Sequence, residues 1–185
     1  MLPKNNFPLI MKCTAAVCTI LTALFAALFY VTKADCFLTL SITAGTTCYH
    51  FSMRLLIGLV IPPAMKHNTD PEGFWFRSRS FEARLYRQLK VRRWKHFLPT
   101  YAPGSFSMGS STIEQIIQNS CVAEVVHEVI ILCSFLPLLF SVPFGAFGVF
   151  FITSVLSAAF DSLFVILQRY NRPRFIQLSI RRKGK

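Results

Sequence analysis

Cys121-Val122-Ala123-Glu124-Val125-Val126-His127-Glu128-Val129-Ile130-Ile131-Leu132-Cys133-Ser134-Phe135-Leu136-Pro137-Leu138-Leu139-Phe140 decides how the chain is read. At a helical rise of ~1.5 Å per residue, an apolar stretch of about twenty residues crosses the ~30 Å hydrocarbon layer of a bilayer. This one does so while carrying Glu124, His127 and Glu128. A charge in hydrocarbon costs roughly 2.5–3.5 kcal/mol, and such residues face a bundle interior or a watery cavity. The stretch therefore reads as a membrane span that contributes to a polar site.

Three further stretches have the same character. Working outward, spans are expected at about 13–31, 36–61 and 144–167, with 121–140 as the third of four. The second carries His50 and Arg54, four apart and on one helical face, and the fourth carries Asp161. Pro62-Pro63 is expected to stop the second span, and Ser141-Val142-Pro143 to connect the last two tightly. Phe29-Tyr30 stands where a signal peptide would need small residues, so the first span reads as an uncleaved anchor. The fold class is thus all-α: a four-span transmembrane helical bundle forming a single membrane domain over residues 1–185.

Composition agrees. The chain is 53% hydrophobic with 19 Phe, and its mean hydropathy is +0.47. Its net charge is +12, from 20 Lys and Arg against 8 Asp and Glu. These cations flank the spans and match no nucleic-acid-binding module, so they point to lipid head groups rather than to nucleic acid. Two precede the first span, nine lie between Lys66 and Lys95, and seven follow the fourth span. Only Lys33 lies on the other side, and Arg54 is within a span. By the positive-inside rule both termini are cytoplasmic in a multi-pass protein of the cell membrane. The six Cys form no CxxC and pair with no His at zinc spacing, so no metal and no cofactor is expected.

The segment at about 64–120 is too aromatic for a plain linker. Ser80 to Val91 is expected to form a helix lying in the membrane interface, with Ser80 as N-cap and Phe81, Leu85 and Leu89 on one face. Ser111-x-x-Glu114 has the pattern of a capping box opening a second helix. After the fourth span, residues 168–185 read as a basic cytoplasmic tail.

Counting rise along the spans places Arg54, Glu124, His127 and Asp161 at similar depth in the inner half of the bilayer. Glu124 and His127 are helical i,i+3 neighbours. A carboxylate beside an imidazole suits a general base and its orienter, and a structural polar cluster, with Arg54 paired to Glu124 or Asp161, is the competing reading. At the cytoplasmic surface, Val91-Arg92-Arg93-Trp94-Lys95-His96-Phe97-Leu98-Pro99 is either a snorkelling interfacial segment or an anion clamp. Gln168-Arg169-Tyr170-Asn171-Arg172-Pro173-Arg174 carries more hydrogen-bonding capacity than a topological stop needs.

Taken in order, several motifs resemble the glycosyl-4,4'-diaponeurosporenoate acyltransferase family. They are Tyr49-His50 with Met53-Arg54, Phe81-Glu82 with Leu85-Tyr86, Trp94-Lys95 with Leu98-Pro99, Cys121-x-x-Glu124-x-x-His127, and Phe164 before Gln168-Arg169-Tyr170-Asn171-Arg172. Asp161 stands where the family pattern has Asn. The resemblance implies a membrane O-acyltransferase that moves a fatty acyl group onto a sugar hydroxyl of a glycosylated isoprenoid or other glycolipid. Its partners would be a lipid-soluble glycoside acceptor and an acyl donor such as an acyl thioester. On this reading His127, Glu124 and Arg54 are catalytic: His127 as base, Glu124 as its orienter, Arg54 beside the developing oxyanion. Substrate contacts come from His50, Arg92, Arg93, Trp94, Lys95, Gln168, Arg169, Tyr170, Asn171 and Arg172. The alternative is a non-enzymatic lipid-binding or accessory membrane subunit.

Overall fold

The computed structural model describes residues 6–65, 68–99 and 101–184. Lys4, Lys66 and Lys185, which count among the topology-setting cations, lie outside the described residues. Among those described there is no strand. Four helical stretches are long and apolar enough to cross a membrane: Phe7–Thr32, Asp35–Met65, Ile113–Phe144 and Phe147–Lys183.

Helix α1 (Phe7–Thr32) has a proline in its first turn, where a missing N–H costs nothing. It closes on Lys33, whose left-handed backbone lets its N–H reach Phe29 O. Helix α2 (Asp35–Met65) meets α1 at small residues, as helices in lipid commonly do. A Cβ on Gly45 would lie 3.4 Å from Thr22 Cγ2, and Ser41 Oγ donates to Thr22 O at 3.2 Å. Pro62-Pro63 does not stop α2, which runs on to Met65. The two prolines forfeit only the bonds to the carbonyls four residues back, and so near the helix end no further turn depends on them.

Helix α5 (Ile113–Cys133) starts a full two turns before the expected span. The capping box that opens it is Thr112 and Gln115, one residue beyond the expected Ser111 and Glu114. Gln115 N–H donates to Thr112 Oγ1 at 3.2 Å, and Thr112 N–H to Gln115 Oε1 at 2.9 Å. After Cys133 come a 3-10 segment, Leu136–Phe140, and the short helix α6 (Ser141–Phe144). The expected tight connection is therefore helical, and the chain reverses at Gly145 and Ala146. Gly145 has φ 66° and ψ −139°, which glycine alone adopts cheaply. Helix α7 (Phe147–Lys183) holds 37 residues, so the expected tail is a continuation of the fourth span.

Between α2 and α5, helix α3 (Glu82–Gln88) is shorter than the expected 80–91, and Ser80 does not cap it. Lys90 takes a left-handed conformation, φ 51°, and separates α3 from the single turn α4 (Val91–Trp94). Phe81 and Leu89 are exposed, as an interfacial face requires, whereas Glu82 is buried.

The chain divides into two compact units. The hairpin unit comprises Asn6–Gly58 and Val129–Asp161; the loop unit includes Leu59–Glu128 and Ser162–Lys185. In the hairpin unit a chain of polar contacts crosses three helices. Arg54 Nη2 donates to Asp161 Oδ2 at 2.5 Å and to Ser157 Oγ at 2.8 Å. Ser157 Oγ meets Ser134 Oγ at 2.8 Å, and Tyr49 donates to Cys133 O at 2.8 Å. The core of the loop unit is built from Val91, Ile113, Ile116, Ile117, Cys121, Val122 and Phe164.

Candidate active site

Within the loop unit, Glu124 of α5 is fully buried and ionically satisfied. Its Oε1 accepts from Arg169 Nη1 at 2.5 Å, and its Oε2 accepts from Arg172 Nη2. The two arginines are i,i+3 neighbours on α7, so one helical face presents both to one carboxylate. Burying ions costs several kcal/mol each unless the remaining donors are also partnered. Arg172, 1% exposed, meets that condition. Its Nε donates to Ser120 Oγ, its Nη1 to Phe76 O at 3.0 Å, and its Nη2 also to Ser120 O. The Phe76 ring lies 5.1 Å from its guanidinium carbon.

Arg169 ties α7 to α3 and to the segment preceding it. Its Nε and Nη2 donate to Glu82 Oε1, at 3.1 and 2.5 Å. Its remaining bonds go to Trp75 O and Arg77 O, at 3.0 and 3.1 Å. Glu82 Oε2 accepts from Tyr86 OH at 2.6 Å, the i,i+4 neighbour on α3. Burial opposes ionisation of Glu82, but the hydrogen bonds from Arg169 and Tyr86 outweigh it and hold the carboxyl below the usual carboxylate range. Burial, followed by the bond to Glu82 and its charge, pushes the Tyr86 phenol well above its ordinary value. The result is a continuous network, Tyr86–Glu82–Arg169–Glu124–Arg172, with Glu82, Glu124 and Arg172 buried and Tyr86 and Arg169 partly so, that locks α3, α5 and α7 together.

His127 stands one turn beyond Glu124 on α5. Its imidazole is half-buried and stacks on Phe164 of α7, with centroids 4.6 Å apart and planes 9° from parallel. Stacking fixes the ring plane, so the imidazole is held in one orientation on the turn that follows Glu124. The next residue, Glu128, also one turn from Glu124, accepts at its Oε2 from the Trp75 indole at 2.9 Å.

The other expected contact residues divide by role. Gln168 is buried, and its carbonyl accepts from Ser120 Oγ at 3.4 Å. Asn171 Oδ1 accepts from Lys95 Nζ at 3.2 Å, and Lys95 also faces the Tyr170 ring at 5.2 Å. Tyr170 stacks edge-on with Tyr86, 5.4 Å between centroids. The Trp94 indole donates to Leu89 O at 2.9 Å, across the α3–α4 bend. Lys95, Trp94, Asn171 and Tyr170 thus hold the segment in place, while Arg92 and Arg93 are exposed.

Arg54 and His50 belong to the hairpin unit. The carboxylate that meets Arg54 is Asp161, and the cations that meet Glu124 come from α7. Arg54 also donates to His50 O at 3.0 Å. The His50 ring is buried, packs edge-on against Tyr49, and finds no hydrogen-bond partner for either nitrogen among the described residues. Among those residues no three His, Cys, Asp or Glu side chains gather as a metal-ligand group.

Glu82 is the member of the network that the sequence reading quoted within the Phe81-Glu82 motif and gave no role in the site. Its signals were the i,i+4 Tyr86 and the i,i+3 spacing of Arg169 and Arg172, which supplies two cations for more than one carboxylate.

Comparison with curated proteins and with solved structures returns no match. A sequence model of the glycosyl-4,4'-diaponeurosporenoate acyltransferase family matches residues 72–181, more than half of the 185-residue chain. That stretch contains Trp75, Glu82, Tyr86, Glu124, His127, Phe164, Arg169 and Arg172; His50 and Arg54 fall outside it. With the buried network inside the matched stretch, the chain belongs to the glycosyl-4,4'-diaponeurosporenoate acyltransferase family.

Proposed function

We propose that this protein is a membrane O-acyltransferase that esterifies a sugar hydroxyl of a glycosylated isoprenoid or another lipid-soluble glycoside with a fatty acyl group. The reading is carried by one coincidence: the family match and the buried ionic network lie on the same residues, with His127 beside that network. In the transfer, His127 takes the proton of the acceptor hydroxyl as its oxygen bonds to the carbonyl carbon of an acyl thioester. The carbon–sulfur bond breaks, and the proton passes from His127 to the departing thiolate, leaving an ester and a free thiol. Glu124, held by Arg169 and Arg172, is a positioning residue that fixes the turn of α5 on which His127 stands.

Arg54 was the expected oxyanion partner. Its contacts with Asp161, Ser157 and the His50 carbonyl instead support a role in holding the hairpin unit together. Placing the basic loop and the end of α7 on the cytoplasmic side follows from the positive-inside rule. Mass spectrometry of lipids from cells with and without the protein tests the assignment. One glycolipid class is expected to lose the mass of a fatty acyl group when the protein is removed; an unchanged lipid profile contradicts it.

A further inference from the structure

A cleft of about 700 Å³ opens in the loop unit, walled by α3, α4 and residues 169–174 of α7. Arg87, Lys90, Arg92, Arg93 and Arg174 line it, and among the described residues none of these five makes an ion pair with a carboxylate. The one carboxylate on the wall, Glu82, is buried and already neutralised by Arg169. An ordinary solvated surface intersperses both signs of charge. Five like charges facing one concavity repel one another, and an anion of several charges removes that repulsion. Arg174 is further oriented by its Tyr170 contacts, a 2.6 Å hydrogen bond to the hydroxyl and a guanidinium 4.0 Å from the ring centroid. Arginine forks suit phosphate oxygens in particular.

We propose that this cleft binds the nucleoside polyphosphate carrier of the acyl donor, so that the donor is an acyl thioester of a phosphorylated nucleotide rather than of an acidic carrier protein. The volume falls within the range of small-molecule sites, and concavity favours a compact polyphosphate over a folded partner, which needs a broad, flatter contact. Arg169 is on the cleft wall and is also bonded to Glu124. All five of its N–H groups are already committed within the protein, so Arg169 forms the wall between the cleft and Glu124 while the five lining cations meet the anionic end of the donor. The inference rests on the acyl-transfer reading only in calling the ligand a donor.

The test is equilibrium binding of coenzyme A to the full-length protein in nanodiscs of uncharged phosphatidylcholine, with no acceptor present. Saturable binding that falls steeply with salt is expected, with pantetheine, which lacks the phosphates, failing to compete. R92Q/R93Q, and separately R174Q, are expected to weaken binding at least tenfold. These side chains are exposed, and circular dichroism confirms that each variant folds. Absent binding, or equal binding to wild type and both variants, overturns the proposal. So does coenzyme A binding that anionic phosphatidylglycerol nanodiscs abolish at all ligand concentrations, which assigns the cleft to a lipid head group. Failure of the two readings looks different. Ester formation from an acyl carrier protein without coenzyme A binding sinks the cleft assignment alone. Coenzyme A binding that the variants weaken upholds the cleft even where no donor yields ester.

Discussion

Arg172 and Glu124 form an ion pair in which both side chains are almost wholly buried, 1% and 0% exposed. Breaking such a pair from one side leaves an uncompensated buried charge and costs about 3–5 kcal/mol, whereas apolar replacement of both partners is often neutral. Arg172→Met leaves Glu124 with Arg169 as its remaining cation but strips Glu124 Oε2, Phe76 O and Ser120 O of a donor. It is therefore expected to destabilise the loop unit, and Arg172→Met with Glu124→Leu to recover part of the loss because Arg169 keeps Glu82. Denaturant unfolding in detergent, followed by Trp fluorescence, checks this. Equal losses in the single and double variants contradict it.

Glu82 makes stability depend on acid. Its folded pKa lies below the ordinary 4.5, so its contribution is fully present above that value and is lost as pH falls through the folded pKa. Tyr86→Phe removes one of the hydrogen bonds that depress it, and the acid limb of the stability profile is expected to move to higher pH. Glu82→Gln is expected to flatten that limb while lowering stability near neutrality. Hydrogen exchange of residues 78–89 as a function of pH reads both effects. Tyr86 acts with the opposite sign: its raised pKa stabilises the fold below its ordinary value of 10 and loses that effect as pH climbs further.

In the hairpin unit, Asp161→Ala strands Arg54, which is 13% exposed and makes its ion pair with Asp161. Protein abundance is expected to fall severalfold, with the remaining folded protein transferring acyl groups at the wild-type rate. Turnover normalised to folded protein checks the second half of that statement. A large fall in normalised turnover would place Arg54 and Asp161 in the chemistry instead.

Much of the fold was legible because membrane insertion imposes length and composition at once. The four apolar runs could hardly be anything else, and the Glu124-x-x-His127 spacing placed both side chains along one helix edge. Helix ends were less legible. Pro62-Pro63 reads as a stop, yet prolines in a final turn lose too little to end it. Ser111-x-x-Glu114 and Thr112-x-x-Gln115 are both capping boxes on paper, and hydrogen bonding to Gly104 O diverts Ser111 from capping. The partner of Glu124 was hidden for another reason. Arg54, within the second span, and Arg169, just past the expected end of the fourth, are both cations that a carboxylate on α5 could meet, and depth counted along single helices does not say which helix faces which.

That displaced cap gives a sharp test of helix α5. Thr112→Ala is expected to cost about 1 kcal/mol by leaving the Gln115 N–H without its acceptor. Ser111→Ala, which removes only a bond to Gly104 O, is expected to cost clearly less. Paired unfolding curves decide between the two residues.

The central claim is that His127, beside the buried Glu124, carries the proton in acyl transfer. Its most direct test is ester formation by purified protein in nanodiscs, given an acyl thioester and a glycolipid and followed by mass spectrometry, for wild type and H127A at matched folded concentration. The account predicts ester from wild type and a loss of at least about a hundredfold in H127A, the usual size of a general-base contribution. H127A that forms ester at the wild-type rate contradicts it.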